Sequence, residues 1–194
     1  MLDIENEANR IISSNTNNLE KVKELCSLLI SVPYKRIGSL NPEDMLKIGK
    51  GSCTPKHVFL ARELQKLGIP IKFLMIPFYY KNMPFAYRKN IITEVKDMPL
   101  SHHVALKAFL NGKWRILDVT WDKDLKGFPL NTDWDGKNDM KLAVIPENIQ
   151  ESEADPRIFE KEKLKHYTAN EEQARKNFYK VFDELLEEVR KRSV

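Results

Sequence analysis

Hydrophobic side chains recur every three or four residues through the first third of the chain, which is the spacing of amphipathic helices. Four helices are predicted there, over residues 3–13, 18–31, 42–48 and 55–67. Gly68 follows the fourth helix, and a left-handed glycine commonly ends a helix. Cys26 lies on the apolar side of the second helix, so it is predicted to be a core residue rather than a functional thiol.

After Gly68 the pattern changes from helical spacing to dense apolar runs. Residues 71–76 predict a buried strand that ends at the following proline. Residues 103–110 and 114–119 are strand-like and flank Asn111-Gly112, the strongest short-range signal for a hairpin. These two segments therefore predict an antiparallel β-hairpin. Residues 142–145 are predicted to form one more strand.

Two long irregular stretches, 77–101 and 121–140, are the candidate specificity loops, because long loops in a compact domain commonly bind ligands. The first contains aromatic residues that either line a groove or cover the core: Tyr79, Tyr80, Phe85 and Tyr87. A final helix is predicted over residues 170–190, with an apolar stripe suited to docking on the body of the protein.

Composition and charge limit the classes of function. The 194 residues suit one domain with a sizeable core. With 32 basic and 28 acidic residues, the net charge of +4 is too small to predict a surface for nucleic acid. There is no run of about 18 apolar residues, so no membrane-spanning segment is predicted.

The first residues and the cysteines predict a cytoplasmic protein. Residues 1–5 are acidic where a signal peptide would be basic, and no apolar segment follows them. Two cysteines, Cys26 and Cys53, make no disulfide framework in a chain of this length.

The strongest chemical signal is Gly51-Ser52-Cys53-Thr54-Pro55. Thr54 is a good N-cap and proline is favoured at the first helical position, so Cys53 is predicted just before a helix. The positive end of the helix favours a thiolate there, which is the starting point of a nucleophile. The alternative is a small apolar residue packed under a turn.

A histidine and an aspartate on the predicted hairpin complete a candidate site with Cys53. If the hairpin turns at Asn111-Gly112, His103 lies opposite Thr120, and Asp118 lies two residues away on the same face. Diagonal neighbours about 7–8 Å apart bring their side chains together, so Asp118 is expected to accept a hydrogen bond from the His103 imidazole. His102 is expected to point to the other face.

These residues resemble the transglutaminase-like superfamily, whose core carries a papain-like Cys-His-Asp triad. Three ordered blocks match over residues 51–122: the glycine-cysteine turn with its helix ending in Gly68-Ile69-Pro70, the histidine, and a tryptophan-to-aspartate block. They are Gly51-Ser52-Cys53, His103 and Asn111-Gly112-Lys113-Trp114 followed by Leu117-Asp118-Val119-Thr120-Trp121-Asp122. One departure is Ala105, where the family has an aromatic residue.

The resemblance implies an α+β fold of the papain-like, transglutaminase-core type, with the cysteine helix packed on an antiparallel sheet and helices added at both ends. Residues 1–50 would be an N-terminal helical part, 51–150 the catalytic core and 151–194 a C-terminal helical extension. The implied catalytic residues are Cys53 as nucleophile, His103 as base and acid, and Asp118 as the residue that orients His103. The backbone N–H of Cys53 is the one oxyanion donor that we predict.

The implied chemistry is acyl transfer at an amide of a protein, peptide or small molecule, without a metal or an organic cofactor. Three functions remain open: a protease or amidase, a cross-linking transglutaminase, or a non-catalytic binding module on the same scaffold. An activated cysteine would separate the first two from the third. Hydrolysis is favoured over cross-linking because no acceptor-amine site is evident in the sequence.

Metal binding is the rival chemistry. Cys53 and His57 are four residues apart on one helix, and His102 and His103 could add ligands. Structural zinc sites usually show paired short spacings, and only one such pair occurs here. His57 is therefore predicted to be a surface residue or a residue that supports the site.

Overall fold

In the computed structural model, which describes residues 3–83 and 91–192, seven helices surround one antiparallel sheet. The helices are α1 (Ile4–Ser13), α2 (Asn18–Ser31), α3 (Pro42–Ile48), α4 (Cys53–Lys66), α5 (Ile92–Asp97), α6 (Pro156–Lys165) and α7 (Ala169–Lys191). The strands are β1 (Ile71–Phe78), β2 (Ser101–Leu110), β3 (Lys113–Leu117) and β4 (Gln150–Ser152), in the spatial order β3-β2-β1-β4. The predicted α+β class is confirmed.

The predicted hairpin forms with the predicted register, since Leu106 of β2 pairs with Leu117 of β3. Asn111 and Gly112 at the turn have φ angles of 49° and 79°. Two consecutive residues with positive φ suit the tight turn whose twist matches that of the strands, and Asn-Gly favours this conformation. The turn therefore sets where Asp118 lies relative to β2.

The sheet has helices on both faces. Alternating residues of β1 and β2 face a core built with α1, α2 and α4, which includes the buried Cys26. The other set faces a second core, to which α7 contributes its apolar stripe. Phe178 and Phe182 of that stripe are completely buried. The prediction that the last helix docks on the body of the protein is therefore confirmed.

Two boundaries differ from those predicted. Helix α4 begins at Cys53 with Ser52 as the extended N-cap residue, so Thr54 is inside the helix and is not its cap. Pro55 then lies in the first turn, where a missing N–H costs little. Strand β1 continues through Pro77 to Phe78. This is possible because β4 pairs only with residues 73–75, so no strand requires an N–H from the proline on that edge. The Pro77 carbonyl there accepts from the Glu147 N–H (2.9 Å).

The strand predicted over residues 142–145 is absent, and this prediction was wrong. Its backbone groups are occupied by side chains instead of a strand ladder. The Ala143 N–H donates to Asp118 Oδ2 (2.7 Å), and the Ala143 carbonyl accepts from Trp121 Nε1 (3.0 Å). The strand that pairs with β1 is β4, further along the chain.

The predicted irregular stretch 77–101 also contains regular structure. A short 3₁₀ turn covers Tyr80–Asn82, and α5 occupies Ile92–Asp97. Phe85 and Tyr87 lie outside the described residues. Tyr80 is buried and packs on Phe178, with ring centroids 4.4 Å apart.

A largely buried salt bridge and its hydrogen bonds connect the end of α7 to the first half of the chain. Arg190 Nη2 donates to Asp122 Oδ2 (2.7 Å) and to the carbonyl of Tyr34 (2.8 Å). Asp122 also accepts from the N–H of Tyr34 (2.7 Å). A carboxylate with several donors keeps its charge satisfied away from water, so this network ties α7 to the segment beside the cysteine turn. None of the described helices combines the length and apolarity needed to cross a membrane.

Candidate active site

Cys53 is held at the start of α4 by a glycine that admits no side chain. The Gly51 N–H donates to the Pro33 carbonyl (3.1 Å), and its own carbonyl accepts from the Lys35 N–H (3.1 Å). A Cβ at Gly51 would lie 2.6 Å from Cγ of the buried Met45. The chain can therefore approach this closely only with glycine at 51. The Cys53 side chain is partly exposed, so it is reachable by a reagent or substrate.

His103 and Asp118 are in direct contact. His103 Nε2 lies 2.7 Å from Asp118 Oδ2, and both residues are 2% exposed. Because Nε2 is engaged with the carboxylate, Nδ1 is the nitrogen available to Cys53. Cys53 and His103 line the same cleft, and the interaction with Cys53 is one of the causes that raise the pKa of His103. The structure thus brings together all three residues that the sequence predicted.

Asp118 is held by backbone groups as well as by His103. Its Oδ2 accepts from the Ala143 N–H (2.7 Å), and its Oδ1 accepts from the Thr120 N–H (3.2 Å). Three donors around a buried carboxylate fix both its position and its charge. The carboxylate therefore orients the imidazole from a rigid support.

The pair is charged in the folded protein. Burial by itself would lower the pKa of His103, but the charge of Asp118, the hydrogen bond with it and the hydrogen bond with Cys53 raise that pKa to about 10. Burial would raise the pKa of Asp118, but the His103 charge and hydrogen bond hold it well below its usual range. At neutral pH the site accordingly holds an imidazolium beside a carboxylate.

His57 is buried and linked to the candidate site through the backbone. Its Nδ1 lies 2.8 Å from the Cys53 carbonyl, and its Nε2 accepts from the Val119 N–H (3.1 Å). Burial lowers its pKa to about 4, so the ring is neutral with the proton on Nδ1. The surface alternative is wrong, because the side chain is fully buried. His57 connects the cysteine turn to the residue after Asp118.

This arrangement leaves neither nitrogen of His57 free for a metal. The two described imidazoles at this site, His57 and His103, have ring centroids 6.0 Å apart, and each is engaged by other partners. Among residues 3–83 and 91–192, no group of three or more His, Cys, Asp or Glu side chains is placed to hold a metal ion.

Lys56 is a second buried side chain of α4 that the sequence pattern did not single out. Its ammonium donates to the carbonyls of Val32 (2.6 Å) and Thr120 (3.0 Å), and it lies 3.4 Å from that of Val119. Burial lowers its pKa to about 7 against the opposing charge of Asp122. A lysine on an amphipathic helix is ordinarily exposed, so the burial of Lys56 and its hydrogen bonds to these carbonyls could be found only from the tertiary structure.

His57→Gln is expected to make the folded protein less sensitive to acid. The ordinary pKa of histidine is about 6.5, whereas His57 titrates at about 4 in the folded protein. Between these values the unfolded chain binds a proton here and the folded protein does not, so stability falls as the pH drops through this window. From pH 6.5 to 4.5 the wild type should lose about 2 kcal/mol more than the variant. Urea unfolding at both pH values measures the difference, and equal losses would contradict the assignment of a neutral His57.

His102 has different surroundings from His103. Its ring packs edge-on against Phe159, with centroids 5.1 Å apart, and it is partly exposed. Burial, together with the charges of Lys163 and Arg175, lowers its pKa to about 4. His103, and not His102, is the histidine that contacts Asp118.

A cleft that is open to solvent lies over Cys53 and His103. Of the predicted specificity loops, the first contributes Phe78, Tyr80, Met83 and Ser101 to its walls. Among the described residues of the second, only Trp121 lines the cleft. The rest of the wall comes from residues 34–40, from the cysteine turn, from α6, α7 and the turn between them, and from His102, His103, Thr120 and Val144. His102 therefore borders the same cleft as His103, contrary to the expectation that it points to the other face. Helical periodicity showed that the C-terminal helices have a buried side but not that they border the cysteine.

One carboxylate from this wall reaches the cysteine helix. The Thr54 hydroxyl donates a hydrogen bond to Glu160 Oε1 of α6. Burial raises the pKa of Glu160, although the Thr54 hydrogen bond and the charge of Arg36 oppose this. The contact joins α6 to the first turn of α4, directly beside Cys53.

Solved structures that resemble this chain in shape include the following two. One is a candidate cysteine protease from Cytophaga hutchinsonii, with 16% identity, a TM-score of 0.44 and 77% of this chain covered. The other is a TGase, with 13% identity, a TM-score of 0.42 and 62% of this chain covered. The chain spans about half (49%) of the first protein and about a third (32%) of the second. No family model and no curated protein match the sequence.

Proposed function

We propose that the protein is a cysteine-dependent acyl-transfer enzyme that acts on an amide or peptide bond. The observation that carries this proposal is the contact of His103 with Asp118 beside Cys53, at the base of an open cleft. A binding module needs no nucleophile, no imidazolium and no buried carboxylate to orient it. The assembled trio therefore favours an enzyme over a binding module.

In the proposed reaction the Cys53 thiolate attacks the amide carbonyl and forms a carbon–sulfur bond. The carbon–nitrogen bond then breaks, and the departing amine takes its proton from the His103 imidazolium. Water attacks the resulting thioester while His103 accepts its proton, which releases the acid and restores the thiolate. An amine in place of water would give transamidation. Asp118 keeps His103 correctly oriented throughout and stabilises its charged form before the proton is given up and after it is regained.

Negative charge on the carbonyl oxygen would be stabilised by the start of α4. Cys53 is the first residue of that helix, so its N–H belongs to the groups that have no intrahelical partner. Donors of this kind beside the nucleophile stabilise an oxyanion. Nucleophile, proton donor and oxyanion donor are thus all supplied by side chains and backbone, and the proposed reaction needs no cofactor.

The flanking segments have a proposed role in the same function. Residues 51–150 would carry the chemistry, while residues 1–50 and 151–194 would shape the cleft in which a protein, peptide or small amide binds. A reducing compartment such as the cytoplasm suits the reaction, because the nucleophile must stay a free thiol.

Covalent capture at Cys53 tests the proposal. The protein is incubated with a pooled library of peptide amides, with and without a primary amine such as glycine methyl ester. Mass spectrometry then measures acylation of Cys53 and the released products, with Cys53→Ala as control. Acid products would identify a hydrolase, whereas amine adducts would identify a transamidase. Product formation by Cys53→Ala, or unmodified Cys53 with every substrate and thiol reagent, would refute the proposal.

A further inference from the structure

Two arginines that line the cleft lie over tyrosine rings. Arg36 Cζ lies 3.9 Å from the ring centroid of Tyr179. Arg175 Cζ lies 4.3 Å from the ring centroid of Tyr167 and 5.4 Å from that of Tyr179. Both arginines therefore meet around one ring, although one precedes α3 and the other lies on α7.

The tyrosines that support these arginines are themselves held in place. The Tyr167 hydroxyl donates to the Leu100 carbonyl (3.2 Å), immediately before β2. Tyr179 packs edge-on against Phe178, with centroids 5.4 Å apart, and Phe178 is completely buried. A guanidinium stacked by its face on such a ring keeps its edge, with its N–H donors, available to a ligand.

Within the described part of the chain, neither of these two arginines forms a salt bridge with a carboxylate. Arg115 and Arg192 form none either, but they do not line the cleft. Arg10, Arg62, Arg157 and Arg190 all form salt bridges with aspartate or glutamate. Among the described residues, Arg36 and Arg175 have close contacts with tyrosine rings, and the charge of Glu160 acts on both without a direct salt bridge. An arginine in a cleft that no carboxylate pairs directly is suited to bind an anion from solution.

The charge of the cleft supports the same conclusion. Among the described lining residues, Arg36, His103, Lys163 and Arg175 are cationic and Glu160 is the sole carboxylate. Glu160 is already engaged by the Thr54 hydroxyl. Arg36 and Cys53 line the same cleft, so an anion held by the guanidinium lies in the space that the sulfur borders.

From this geometry we infer that Arg36 and Arg175 form a carboxylate-binding subsite next to Cys53. The inference rests on the proposed function for the reaction itself and adds the substrate class: amides whose acyl or amine portion bears a carboxylate. In a peptide that carboxylate is either an acidic side chain or the chain end. The planar N–H fork of arginine matches the two oxygens of a carboxylate, which a neutral amide at the same position cannot reproduce.

The first measurement uses two alkylating reagents that differ only in charge. Iodoacetate carries a carboxylate and iodoacetamide is its neutral counterpart, so the ratio of their rates at Cys53 measures the preference for an anion. General effects on the thiol, on His103 or on the folded fraction change both rates and cancel in the ratio. Arg36→Gln and Arg175→Gln should each lower the ratio about threefold, and the double variant about tenfold.

Arg115→Gln is the matched control, because it removes one positive charge from β3, which contributes no residue to the cleft wall. Its ratio should equal that of the wild type. An unchanged ratio in Arg36→Gln, Arg175→Gln and the double variant would overturn the subsite. A fall as large in Arg115→Gln as in the cleft variants would also overturn it, since the effect would then be one of net charge.

The second measurement uses paired peptide amides and identifies where the carboxylate resides. One pair exchanges Glu for Gln beside the cleaved bond, and the other exchanges a free carboxyl terminus for an amide. Wild-type kcat/KM should be about tenfold higher for the acidic member of one pair, and the double variant should lose this preference. Equal kcat/KM within both pairs would refute the substrate class. If no amide is cleaved but the alkylation ratio still falls in the cleft variants, the proposed reaction fails while the anion subsite stands.

Discussion

Replacing His103 with alanine is expected to slow amide cleavage by about a thousandfold and to remove the reactivity of Cys53 at neutral pH. The imidazolium does two things in the proposed reaction. It keeps the thiol in its reactive ionised form, and it supplies the proton that the departing amine needs. Alanine supplies neither, and water in the cleft cannot be held in the same orientation by Asp118.

The neighbouring histidine provides the matched comparison. His102 packs on Phe159 and has no contact with Asp118. Cys53 of the His102→Ala variant should therefore be alkylated at about the wild-type rate. Rates of iodoacetamide modification from pH 5 to 10, with the buried Cys26 as an internal reference, measure both variants. If His102→Ala lost the reactivity and His103→Ala kept it, the assignment of the base would be wrong.

The pH profile of the wild type should show a distinct alkaline limit. His103 has a pKa raised to about 10, so its proton is available for the leaving amine across neutral pH and is lost only as the pH approaches that value. The rate of amide cleavage should therefore hold to about pH 9 and fall above it. If the rate of amide cleavage instead fell near pH 6.5, the ordinary pKa of histidine, Asp118 would not stabilise the charged ring.

Asp118→Ala is expected to have the largest effect on stability, about 3–5 kcal/mol of the free energy of unfolding. The carboxylate accepts from His103 and from the N–H groups of Ala143 and Thr120, and it is almost fully buried. Its removal leaves an unpaired buried imidazole charge and two buried N–H groups without their acceptor. Each of these carries a desolvation cost that solvent cannot relieve.

Urea unfolding at pH 7 measures this effect, and two further variants interpret it. Asp124→Ala removes a carboxylate from an exposed position a few residues away and should change stability by less than about 0.5 kcal/mol. Asp118→Asn keeps the volume and one acceptor oxygen, so its loss should be intermediate. A loss below about 1 kcal/mol in Asp118→Ala would show that the carboxylate does not hold residue 143 and the hairpin together.

Local signals in the sequence were sufficient to predict interactions between residues that are close together in the chain. The Asn111-Gly112 turn requires positive φ at two consecutive residues, and this preference determines the register of the hairpin. From that register alone, His103 was predicted to meet Asp118. In the same way, the small residues before Cys53 predicted a cysteine at a helix start, with an error of two residues in the cap.

Long-range packing is where the predictions were incomplete. Residues 142–145 have the apolar composition of a strand, but the buried carboxylate of Asp118 and the ring of Trp121 bind the backbone at Ala143. No pattern within that segment reveals partners more than 20 residues away. The burial of Lys56 was not predicted for the same reason. The carbonyls that accept its hydrogen bonds come from the end of α2 and from the residues after β3.

The sequence by itself therefore determined most of the elements, the hairpin register and the candidate residues, because these follow from local backbone preferences and from spacing along the chain. Only the tertiary structure showed which segments of the chain form the walls of the cleft around Cys53. The stripe on α7 predicts that this helix is buried on one side, but the same stripe is compatible with several docking positions. Packing of that stripe on the sheet, together with the Arg190–Asp122 pair, places Arg175 and Tyr179 opposite Arg36 and so creates the charged cleft.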